Sequence, residues 1–155
     1  MFKRKLILCG YFPKRTEYYR QLGKFAMEMC NVIFQDDRRL KTVQLTFMKN
    51  VANWDDGFAW LFIDGKVEIL IPRKYKHRAR WLIVHELCHA KQMAEGRINR
   101  NLDKIKYTNK SGVTKNYIWV SDAKYFCKED RRHYDEYLPW ETEANTKARN
   151  YGFDY

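Results

Sequence analysis

The five residues His85-Glu86-Leu87-Cys88-His89 constrain the fold of this chain more than any other segment. They have the form H-E-x-x-H and sit in an apolar stretch with Trp81, Leu82, Ile83 and Val84. Residues four apart on an α-helix project from one face, so a helix here sets two imidazoles side by side. A helix this apolar belongs in a core. Two imidazoles and a carboxylate in a core need partners, and one metal ion satisfies all three. The imidazoles act as ligands, and Glu86 lies near enough to take a proton from a metal-bound water. The fold must therefore bury this helix, keep one coordination position for water, and bring a third ligand to the pair.

The 155 residues suit one domain, 1–155, with a real core. Hydrophobic residues at 45% and aromatics at 16% exclude a disordered chain. No apolar run reaches the length of a membrane span. The basic start and short apolar patch of Met1–Gly10 fall short of a signal peptide and read instead as a first strand ending at Gly10. Cys9, Cys30, Cys88 and Cys127 are widely spaced with no C-x-x-C pair, which points to a reducing, cytoplasmic setting. The net charge of +11 admits nucleic acid, an anionic membrane or an acidic substrate as partner. Arg73, Lys74, Lys76, Arg78 and Arg80 crowd the start of the site helix, where cations oppose the helix dipole. Either that helix starts late or the patch faces an anionic partner.

Apolar spacing predicts a helix over residues 16–34, capped by Thr16, and a strand through Val43, Leu45 and Phe47. Residues 50–57 read as a loop. Asp64-Gly65 between the runs 58–63 and 66–71 predicts a hairpin with a type I′ turn. The site helix follows over about 76–94, stopped by Gly96. Residues 99–102 read as a connection, 104–107 with 115–120 as a second hairpin, and 122–132 as a short helix. Pro139 starts a last helix carrying Trp140, Ala144 and Ala148 on its inner face. The fold class is α+β: an N-terminal helix on a small mixed sheet, then two helices that carry the site.

Candidates for the third ligand are Glu141, Glu143 and His133. His77 is two turns from His85 and too far to share its ion. Glu141, beside Trp140 and one turn from Ala144, can project from the packed side of the last helix. Glu143 lies about 200° round from it and reads as solvated. Either carboxylate also complements a first-turn dipole.

H-E-L-C-H followed by Glu141-Thr142-Glu143-Ala144-Asn145 resembles the gluzincin class of zincin metallopeptidases, and in compactness the minigluzincins. The resemblance implies zinc held by His85, His89 and Glu141, Asn145 supporting a ligand histidine where the class has Asp, and an edge strand above the metal for extended peptide. It implies hydrolysis of protein or peptide substrates with Glu86 as base and a Tyr or His steadying the oxyanion. Tyr137 is the first choice for that role, with Tyr134 and His133 behind it. His85-Glu86-Leu87-Cys88-His89-Ala90 is also similar to the core of the SprT/Spartan proteases, whose downstream ligand is a His; His133 is a poor match to that segment. An alternative of another class is a nucleic-acid-binding module with a structural zinc site, stacking bases on Tyr107, Tyr117 and Tyr125 among their Lys neighbours. A metal-dependent hydrolase of a non-peptide amide shares every motif.

Overall fold

The structure is a computed structural model that describes residues 2–10, 17–49, 59–61, 64–72, 77–121, 124–134 and 138–153. Strands β1 (Lys5–Gly10), β2 (Thr42–Met48), β3 (Ala59–Leu61) and β4 (Lys66–Pro72) form a first sheet in the order β1-β2-β4-β3. β1, β2 and β4 are parallel, and β3 runs antiparallel to β4 along the edge, so this sheet is mixed. Parallel neighbours need a crossover, and helix α1 (Glu17–Phe34) makes it between β1 and β2. Val43, Leu45 and Phe47 of β2 are buried while their alternates are half-buried, the period of a strand with one face on a core. Leu22, Ala26, Met29, Cys30 and Ile33 give α1 its buried stripe.

The last turn of α1 carries no basic residue of its own. Arg4, ahead of β1, supplies the cation instead. Its guanidinium donates to the carbonyls of Gln35 (2.9 Å), Asp37 (2.8 Å) and Leu40 (3.0 Å) and to Asn31 Oδ1 (3.0 Å). Carbonyls at and beyond the helix end thus gain donors, and the charge complements the dipole.

The β3–β4 hairpin differs from expectation in its turn. Leu61 pairs with Val67, so the connection is longer than the two residues of a type I′ turn. Of the described turn residues, Gly65 has positive φ, at +79°, and Asp64 does not; the Gly65 carbonyl accepts from the Lys41 and Thr42 amides. Contact with the start of β2 thus overrides the local turn preference. Helix α2 (Ala79–Ala94) begins with Arg78 as N-cap, so it starts later than residue 76. Arg80 then lies over the Phe25 ring, 5.1 Å from its centroid; residues 73–76 lie outside the described residues, as do Thr16 and the loop 50–57. At the other end, Gly96 at φ +71° ends α2 in a Schellman motif, with Gly96 N–H on Met93 O and Arg97 N–H on Gln92 O.

The chain then forms an antiparallel meander of β5 (Ile98–Asn101), β6 (Lys104–Thr108), β7 (Thr114–Ser121), β8 (Lys124–Cys127) and β9 (Arg132–Tyr134). The β6–β7 hairpin is the one expected. Residues 99–102 and 122–132 are corrections: the first holds most of β5, and the second holds β8, a turn and the start of β9 rather than a helix. A polar residue in register with the inner row (Arg100, opposite Ile105) and an apolar one on the outer row (Phe126) hide the period of two. Helix α3 (Pro139–Asn150) starts with Pro139 at N1, as expected.

Helices α1, α2 and α3 pack in sequence, α2 in the middle against both neighbours and against β3 and β4. The main core joins the first sheet, α1, α2 and, through Ala144 and Ala148, α3. A second core lies under the meander, around Trp140 at the start of α3. The Trp140 ring meets Tyr117 edge-on at 5.0 Å, Tyr125 at 5.7 Å and Tyr107 at 5.8 Å between centroids. The described cysteines are all free, and no described helix is long and apolar enough to cross a membrane.

Candidate metal centre

His85 and His89 lie one turn apart on the face of α2 that meets α3, and Glu141 comes from the first turn of α3. The second core sets that register, because Trp140 is clamped beneath the meander and carries Glu141 as its neighbour. The two Nε2 atoms are 3.0 Å apart, and each is 3.1 Å from Glu141 Oε2. Hydrogen bonds fit this triangle badly. Two N–H groups aimed at one carboxylate oxygen would also face each other across 3.0 Å. A cation fits it well: ligand bonds of about 2.0–2.1 Å in a tetrahedron place donors about 3.3 Å apart. Two imidazoles and one carboxylate can hold a metal ion, and this triad is the donor group found among the described residues.

The tautomer of His89 is fixed by a residue that sequence reasoning missed. Gln92 is fully buried, and its Nε2 donates to the Trp140 carbonyl at 3.1 Å. Its Oε1 therefore faces His89 Nδ1, at 2.9 Å, and accepts a hydrogen bond from it. On losing its other proton to a bound cation, His89 directs the Nε2 lone pair at the centre, the usual support of a ligand histidine. An amide three residues after the second His, on the same helix face, was the only available signal. His85 is held differently. Its ring stacks on Trp81 at 4.8 Å, and its buried Nδ1 has no hydrogen-bond partner among the described residues.

Glu86 is 4% exposed. Burial pushes its carboxyl up to about 7, against the pull of the two neighbouring imidazoles. Burial also opposes charge on Glu141, yet the His89 and His85 rings hold it well below the usual carboxylate range. For His89 burial lowers the affinity for a proton, but the Glu141 carboxylate wins and raises it to about 9. The triad is thus a pocket that attracts positive charge. Glu141 is its most exposed member, with a side chain 34% exposed against 8% and 12% for the histidines.

The other expected residues fall elsewhere. Asn145 is exposed and hydrogen-bonds neither histidine among the described residues, so Gln92 takes the supporting place. Glu143 is not solvated. Its position round the helix faces the meander, where Arg97 donates to both its oxygens (2.9 and 2.5 Å) and the Tyr107 hydroxyl donates to one. His133 is exposed on β9 beside Phe126, apart from the triad. The Tyr134 hydroxyl donates to Asp130 (2.5 Å). Tyr137 lies outside the described residues. No family model, curated protein or solved structure matches the chain.

Proposed function

We propose that this chain is a zinc-dependent metallopeptidase of the zincin type, with His85, His89 and Glu141 as ligands and Glu86 as general base. The convergence of two Nε2 atoms and one carboxylate oxygen beside a buried Glu carries the reading. Zinc, when bound, polarises the scissile carbonyl and brings the pKa of its water toward ~7. The protein does the rest. Gln92 keeps the His89 lone pair turned inward, and the packing of Trp140 holds Glu141 in place. Glu86 takes the proton of the attacking water on its carboxylate and returns it to the leaving amine. Its burial supports both steps, since a carboxyl near neutrality accepts and releases a proton at similar cost. β3 is the edge of the first sheet and packs on α2, so its free side suits an extended peptide added as a further strand.

The test is hydrolysis of a quenched-fluorescent peptide library by zinc-loaded protein and by Glu86→Gln. The substitution should cut the rate about 10²–10⁴-fold with zinc retained. An unchanged rate would remove Glu86 from the mechanism.

A further inference from the structure

The meander turns one face to the helices and the other to solvent. Ile98, Ile105, Tyr107, Tyr117 and Cys127 point inward around Trp140. Tyr107 and Tyr117 are therefore buried and cannot stack on bases, contrary to the sequence expectation. Tyr125 lies against Trp140 on the same side.

The outward positions form two rows across the strands. Asn99, Lys106 and Asn116 are register partners, and Lys128, whose N–H bonds Asn116 O, extends them. Asn101, Lys104, Ile118, Phe126 and His133 make the second row. Between them lies an open groove of about 520 Å³ with three lysines, three asparagines and no acidic residue in its lining. Nearby, Arg97 pairs with Glu143 and Lys115 with Asp130. Among the described residues Lys104, Lys106 and Lys128 pair with no carboxylate, and Glu129, at the end of the first row, is bound instead by the Asn116 amide groups.

We propose that this outer face binds single-stranded nucleic acid, independently of the metal centre. Unpaired ammonium groups in one groove attract a phosphate chain. Lys104 and Lys106 share a face about 6.7 Å apart, two strand residues, and so can follow successive phosphates. The Asn99 and Asn101 amides both donate and accept, as base edges require. Phe126 and His133, with centroids 5.1 Å apart, offer ring faces to unstacked bases. A duplex presents no free base to such rings, and an acidic polypeptide would use the lysines alone.

Fluorescence anisotropy of a labelled oligothymidylate, titrated with the full-length chain over a range of salt, tests this. Wild type should bind, and Lys104→Glu with Lys106→Glu should weaken binding at least tenfold and flatten the log–log salt slope by about 1.4. Lys3→Glu with Lys5→Glu, the same charge change on the first sheet, should stay within about twofold of wild type. Phe126→Ala should weaken binding about fivefold or more. Far-UV circular dichroism checks folding, and Lys104→Gln with Lys106→Gln, the milder pair, should also weaken binding. Three results would overturn the proposal: no binding by wild type, equal loss in the control pair, or equal competition by polyglutamate with Phe126→Ala neutral.

Discussion

At the scale of single residues, the proposed chemistry depends on which nitrogen would face a metal, and one amide decides that for His89. Gln92 donates to Trp140 O and so can only accept from His89 Nδ1. Gln92→Leu should therefore weaken zinc binding about 10–100-fold, read by competition with a chromogenic chelator, while His85→Ala should abolish it. Equal affinity in Gln92→Leu would mean that packing alone orients the ring. H-E-x-x-H was legible because its chemistry is local, a fixed spacing on one helix. Glu141 was legible because Pro139 and Trp140 mark a helix start and its buried face. Gln92 and the partners of Glu143 were not, because each is defined by contacts far along the chain. The expectation for Asn145 came from a resemblance, and in this chain the supporting group lies on the other helix.

At the scale of elements, the meander holds the ligand-bearing helix to the rest. Trp140 fills its core, and Trp140→Ala should cost about 3–5 kcal/mol in chemical denaturation and lower zinc affinity along with stability. Arg97, at the α2 terminus, and Tyr107, on β6, bind Glu143 of α3. Burial opposes the Glu143 charge, but these donors prevail and bring its pKa to about 2, from 4.5. A lowered carboxylate pKa stabilises the fold fully above pH 4.5, and that contribution disappears as pH falls toward 2. Urea midpoints should drop across that window in wild type and less steeply in Glu143→Gln. An equal drop in both would assign acid sensitivity to other groups. Helices α1, α2 and α3 were readable from period and caps. The strands β5, β8 and β9 were not, since Arg100 and Arg132 stand in register with buried Ile105 and Cys127 and Phe126 stands on the outer row, which breaks the alternation.

At the scale of the whole molecule, α3 spans two cores, with Ala144 and Ala148 in the one under the first sheet and Trp140 in the one under the meander, and an ion bound by the triad would tie it to α2. Zinc binding should therefore stabilise the fold as a whole, by about 2.7 kcal/mol at a free concentration one hundred times the dissociation constant. Calorimetry should show a higher Tm with zinc than with chelator, and no difference for His85→Ala. The charge of +11 is distributed unevenly in its pairing, with the groove on the meander left without carboxylates. The central claim is that α2 and α3 together hold one zinc ion through His85, His89 and Glu141. X-ray absorption at the zinc edge of the loaded protein tests it most directly. Four nitrogen and oxygen neighbours are expected at about 2.0–2.1 Å, two of them with imidazole scattering, with loss of one oxygen neighbour or of the ion in Glu141→Ala. Sulfur at about 2.3 Å, or an unchanged spectrum in that variant, would contradict it.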